Sequence, residues 1–118
     1  MIAKARGRFI PVSTRKMRGV ARLIRGVEVP KAQAILKHLP KRACHPISKV
    51  LSSAVAIATR GGAWTEGQLF ISHISADEGP IMKRYRSAPM GRAAQIRKRM
   101  SHLTIELDTQ EGSGARGA

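Results

Sequence analysis

Residues 83–102 read KRYRSAPMGRAAQIRKRMSH, with seven Lys or Arg and no Asp or Glu. On an extended chain Lys83, Tyr85 and Ser87 fall on one side, and Met82, Arg84 and Arg86 on the other. Neither side is apolar enough to enter a core. Pro89-Met90-Gly91 supplies a turn. The stretch therefore reads as the two arms of a hairpin, residues 81–87 and 92–107, and only Leu103, Ile105 and Leu107 at the far end alternate as core-facing positions do. An isolated two-stranded ribbon is marginal in water. The reading is a hairpin that projects from a domain and is ordered by whatever it enters, with a reach of roughly 30 Å at ~3.3 Å per residue.

Outward from the hairpin the chain is patterned for a small mixed domain. Residues 3–12, AKARGRFIPV, place Lys4, Arg6 and Arg8 on one strand face and Ala5, Gly7 and Phe9 on the other, with Pro11 ending the strand. Ser13 or Thr14 offers an N-cap to a first helix whose stripe is Met17, Val20, Ala21 and Ile24. Arg15, Arg18, Arg22 and Arg25 lie off that stripe, and Gly26 suits its C-terminal end. A second helix begins near Pro30, buries Ala32, Ile35, Leu36 and Leu39, and stops at Pro40. A third spans about 41–60 with the stripe Ala43, Ile47, Val50, Leu51, Ala54, Val55 and Ala58. Pro46 in that span predicts a later start or a local kink, and Gly61-Gly62 closes the helix. Residues 68–76, QLFISHISA, have strand composition, but Ile74 breaks the alternation of Leu69 and Ile71, which predicts a bulge. Asp77 to Pro80 then reads as punctuation between strands.

At 118 residues the chain is one domain with a modest core. Its net charge of +15 predicts self-repulsion unless a polyanion neutralises it. Nucleic acid is the first candidate and an anionic membrane the second. Phe9, Phe70, Trp64 and Tyr85 are the only aromatics, too few for a protein that holds single strands mainly by stacking bases. No apolar run approaches the ~20 residues needed to span a bilayer. MIAKARGRFIPV lacks the apolar stretch of a secretory signal. One cysteine, Cys44, permits no internal disulfide and reads as a small buried hydrophobe. Cys44, His38 and His45 are too few for zinc. Ser101 and His102 are strand neighbours pointing to opposite faces, so they form no nucleophile–base pair. Asp77 and Glu78, the only paired acids, fall short of a metal-dependent nuclease and suit charge pairing or a turn at the hairpin base. No enzyme, metal or cofactor is expected. The rival readings are an architectural protein on DNA and a basic RNA enzyme.

Residues 77–107, DEGPIMKRYRSAPMGRAAQIRKRMSHLTIEL, closely resemble the C-terminal hairpin of the bacterial-type large-subunit ribosomal protein L twenty-two family. The shared pattern is Asp77 to Pro80, Lys83-Arg84, Gly91-Arg92-Ala93, and Ile96 through Thr104. STRKMRGVARLIRG, residues 13–26, resembles that family's first helix, and KVLSSAVAIA, residues 49–58, its third. The resemblance implies an α+β fold: three helices packed on a small three-stranded antiparallel sheet, with a long projecting β-hairpin. The chain then divides into a globular domain of residues 1–80 and 103–108 and a hairpin of 81–102, while the Gly-rich, polar composition of residues 109–118 reads as a disordered tail. The resemblance implies a structural constituent of the large ribosomal subunit in the cytoplasm, bacterial cytosol before an organelle. The partners would be large-subunit rRNA, neighbouring ribosomal proteins and, transiently, the nascent peptide, with no membrane and no homo-oligomer. The rRNA contacts would be Lys83, Arg84, Arg86, Arg92, Arg97, Lys98 and Arg99, then Arg6, Arg8, Arg15, Lys16, Arg18, Arg22 and Arg25. Ala88, Pro89, Met90, Gly91 and Arg92 would be the tip lining the peptide exit tunnel. Many family members carry Arg where Ala88 stands, so this tip is less basic than most.

Overall fold

A computed structural model describes residues 2–87, 89–91 and 93–109; of Arg86, Ser87, Pro89, Ala94 and Ile96 the backbone alone is described. Three strands, β1 (Ala3–Ile10), β2 (Leu69–Ser87) and β3 (Ala93–Thr109), form one antiparallel sheet in the order β1-β3-β2. Three helices, α1 (Thr14–Ile24), α2 (Val29–His38) and α3 (Cys44–Thr59), lie between β1 and β2 in sequence. α1 packs on β2 and β3, and α3 on β1 and β3. The molecule measures 65 × 27 × 25 Å.

The helix stripes read from the sequence are the buried ones. Met17, Val20, Ala21 and Ile24 of α1 are buried, as are Ile47, Val50, Leu51, Ala54, Val55 and Ala58 of α3. They meet Ala3, Ala5 and Ile10 of β1, Ile71, Ile74 and Ala76 of β2, and Leu103, Ile105 and Leu107 of β3. In α2, Val29, Ala32 and Leu36 are buried, whereas Ile35 and Leu39 are only partly so. α3 starts three residues later than the 41–60 span, after a turn in which the Cys44 N–H donates to the Lys41 carbonyl at 3.1 Å. Pro46 consequently sits in the first turn, where its missing N–H costs nothing.

β1 approaches α3 closely at Gly7. A Cβ there would lie 2.6 Å from Cγ2 of Val50, a side chain whose branch is already fixed by its helix. We expect Gly7→Ala to cost about 1–3 kcal/mol in urea unfolding. A second substitution, Val50→Ala, recovers most of the loss in a double-mutant cycle if the contact is the cause.

Three strand readings are corrected. First, β1 bulges between Gly7 and Ile10, and Phe9 takes a positive φ of 56°. Phe9 is thereby turned to solvent and Ile10 to the core, so Phe9 does not share the face of Ala5 and Gly7. Second, Asp77 to Pro80 does not separate two strands. β2 runs unbroken through them, with Asp77 opposite His102 and Glu78 opposite Ser101. The register shifts between Glu78 and Ile81, so that Gly79-Pro80 forms a bulge. A bulge on an edge strand tolerates a proline, which has no N–H to give the ladder. Third, β3 continues to Thr109, which is buried and pairs with Leu69, one residue past the predicted end of the domain. The bulge expected near Ile74 is present, between Ile71 and His73. Residues 110–118, read as a disordered tail, lie outside the described residues.

Candidate nucleic-acid interface

β1 makes its last pairing at Ile10 with Ser101. Beyond that point the sheet has only two strands, and they continue as a ribbon from Ile81↔Arg99 to Ser87↔Ala93. The base of the ribbon is anchored by Ser101, which is fully buried and donates its hydroxyl to the Val12 carbonyl at 2.9 Å. Past this anchor none of the described side chains of either strand is buried. Ile81, Met82 and Tyr85 are exposed, Tyr85 by 67%.

The register sets one pair of like charges directly against each other and spaces further cations along both arms. Lys83 stands directly opposite Arg97, Met82 opposite Lys98 and Ile81 opposite Arg99. Lys83, Tyr85, Arg97 and Arg99 therefore share one face, while Met82, Arg84 and Lys98 share the other. Directly opposed like charges destabilise a strand pair, and none of the described side chains of the ribbon is buried to offset that. Lys83, Arg84, Arg97, Lys98 and Arg99 are all exposed. Arg86 holds the register position opposite Ala94. At the turn, Met90 has φ 65° and ψ 30°, and Gly91 has φ 71°. Met90 is almost wholly exposed. Ala88 and Arg92, read as part of the tip, lie outside the described residues.

The second group of cations divides in two. Lys4, Arg6 and Arg8 project from β1, and Arg15, Lys16 and Arg22 from α1, all exposed. Arg18 and Arg25 instead reach across to β2. Arg18 donates Nε–H to the Ala76 carbonyl at 3.1 Å, and Arg25 donates from Nη2 to the Ile74 carbonyl at 2.8 Å. β2 is an edge strand here, and its free carbonyls need donors. Lower on the same edge the backbone itself does the work: Gly26 N–H donates to the Ile71 carbonyl at 2.8 Å, and Ile71 N–H to the Val27 carbonyl at 3.0 Å. Arg18 and Arg25 thus hold α1 to the sheet as well as adding positive charge.

The fold also gathers cations that the sequence reading left out. A cleft of about 710 Å³ brings Lys41 and Arg42, in the turn before α3, beside Arg15 and Lys16 of α1. A neighbouring cleft of about 430 Å³ places Arg42 and Lys49 with Arg8. A third, of about 380 Å³ at the ribbon base, is lined by both Arg15 and Arg99. The adjacent Lys41-Arg42 pair at a helix start was the available signal. Among the described residues no three of His, Cys, Asp and Glu converge as metal ligands, and no helix is long and apolar enough to cross a membrane.

A small α+β body with a like-charged ribbon and cationic clefts running back from its base defines a protein built to lie against a polyanion. The family model described as Ribosomal protein L22p/L17e matches residues 5–108. The Large ribosomal subunit protein uL22 of Halothermothrix orenii is 50% identical over 111 residues, which span 94% of this chain and 98% of that protein. Its counterpart in Desulfitobacterium hafniense is 48% identical over 111 residues, 93% of this chain and 97% of the other. The chain belongs to the ribosomal protein L22p/L17e family.

Proposed function

We propose that the chain is a structural constituent of the large ribosomal subunit of bacterial-type cytoplasmic ribosomes. In this reading it binds and stabilises large-subunit rRNA and catalyses nothing. The observation that carries it is the ribbon, whose two arms oppose Lys83 to Arg97 and bury none of their described side chains. Such a ribbon becomes stable when phosphates are interposed, because each neutralises a repulsion and releases counterions. Arg84, Arg86, Lys98 and Arg99 extend the same phosphate contact along both faces. Arg92 carries it to the turn. Arg6, Arg8, Arg15, Lys16 and Arg22 continue it over the body, joined by Lys41, Arg42 and Lys49. Arg18 and Arg25 contribute charge while bonded to β2. The tip, Ala88 to Arg92, lies against the nascent-peptide tunnel and meets the peptide transiently. Neighbouring ribosomal proteins complete the partner set, and the chain acts as a single copy.

Cosedimentation tests the reading. The full-length chain should travel with large subunits through a high-salt wash; finding it free or with the nucleoid overturns the assignment. Binding to large-subunit rRNA should weaken steeply with salt. Lys83→Gln should reduce the slope of log K against log salt by about 0.7–0.9, the share of one phosphate, and leave sequence preference unchanged.

A further inference from the structure

All three helices cover one face of the sheet, and the opposite face of its three-stranded part is left open. Lys4 and Arg6 of β1, His73 and Asp77 of β2, and His102 and Thr104 of β3 lie on that open face. At its upper end stands Phe9, 56% exposed and held at φ 56°. Its N–H donates to Nδ1 of His102 at 3.1 Å, and the His102 ring meets the Phe9 ring edge-on, centroids 5.1 Å apart at 88°. The two rings form adjoining walls of a pocket of about 290 Å³ completed by Arg6, Arg8, Asp77 and Thr104.

The bulge alone does not account for this. Its architectural effect is to return Ile10 to the core, and it requires at residue 9 only a residue tolerant of positive φ. Glycine or asparagine would meet that need without strain. A bulky aromatic at positive φ is disfavoured, and backbone strain of this kind concentrates at sites of binding. Here the strain turns a flat ring outward between cations. We propose that Phe9 and His102 form a stacking pocket for one unpaired guanine of RNA. The ring of Phe9 offers a π face to a splayed base. Asp77, the single carboxylate in the lining, is an acceptor for the paired N1–H and N2–H donors of guanine. Arg6 or Arg8 is the matching donor to O6 and N7. No other base presents both a two-donor edge to a carboxylate and a two-acceptor edge to a guanidinium. One such contact on a largely phosphate-bound protein agrees with the scarcity of aromatics. The proposal rests on the rRNA-binding reading and adds a base-specific contact to it.

The test uses the full-length chain and single-stranded RNAs of about ten nucleotides. One carries a single guanine among uridines, one is all uridine, and one has an abasic ribose in place of the guanine. The guanine strand should bind at least about fivefold tighter than the abasic strand, the low end for one base–aromatic stack. Phe9→Gly should abolish that gain, leave the salt slope of all-uridine binding unchanged, and not lower the melting temperature, since glycine relieves the positive φ. Asp77→Asn should keep the stack but lose the preference for guanine. Equal binding of guanine and abasic strands by the unaltered chain overturns the proposal, as does a Phe9→Gly variant that keeps the gain or melts well below the unaltered chain. Phe9→Asn, which also tolerates the positive φ, should read the same way. Cosedimentation is untouched by these outcomes: a chain that remains on large subunits yet shows no guanine gain refutes the pocket alone, whereas loss from large subunits refutes the rRNA reading.

Discussion

A chain in which Asn-Gly replaces residues 82–98, joining Ile81 directly to Arg99, should fold as the full chain does and fail to remain on large subunits. Ile81 and Arg99 are register partners, so a two-residue turn closes them without changing the pairing below. Among the described side chains, every buried residue of β2 lies at or before Ala76, and every one of β3 at or after Ser101. The excision therefore removes no described side chain that is buried. Its melting temperature should stay within about 3 °C of the parent. The excised segment carries six Lys or Arg and no acid. If each holds one phosphate, rRNA affinity falls by at least about 10³ near physiological salt and the log–log salt slope drops by roughly 4–5. Differential scanning calorimetry and filter binding over a salt series read the two halves separately. Unfolding of the excised chain would show that the ribbon supports the body; unchanged affinity would move the phosphate contacts to β1 and α1.

The contrast between buried core positions and an exposed ribbon was legible because it is written in side-chain period. Met17, Val20, Ala21 and Ile24 recur at helical spacing, Leu103, Ile105 and Leu107 at strand spacing, and both sets are buried. Residues 82–100 have no such period, and none of the described side chains among them is buried. What escaped was conformation that no period encodes. Phe9 obeyed the alternation of β1 on paper, but a positive φ at one residue reverses the faces of those that follow it. Asp77 to Pro80 is turn-like in composition, yet β2 passes through it because an edge strand can bulge and needs no N–H from Pro80 on its free side.

The cationic site was legible as a charge distribution and less so as a set of roles. Arg15, Lys16, Arg18, Arg22 and Arg25 look equivalent on a helical projection. Only the placement of β2 as an edge strand beside α1 gives Arg18 and Arg25 carbonyls to bond. The same tertiary proximity joins Lys41 and Arg42 to Arg15 and Lys16 across a gap of some two dozen residues, which no local pattern shows. Sequence thus indicated how much positive charge there is and which segment concentrates it. Which cations face a polyanion and which also hold the fold together depends on strand order.

Ile105→Ala should have the largest effect on stability, and its consequence for binding should be indirect. Ile105 lies in the central strand, pairs with Ala5 on one side and Ile74 on the other, and is fully buried. Removing its branch leaves a void between the sheet and the helices that a close-packed interior does not refill. The loss should be about 2–5 kcal/mol, a large part of the ~5–15 kcal/mol that a domain of this size possesses. Urea unfolding should show a lower midpoint at an unchanged slope. At low temperature, where the variant remains folded, rRNA affinity should stay within about twofold of the parent, because no cation is displaced. Saturating rRNA should restore the midpoint toward the parent's, since a ligand that binds only the folded chain adds its binding free energy to stability. An Ile105→Ala chain that folds fully yet binds tenfold more weakly would mean that the body and the ribbon are mechanically coupled through β3.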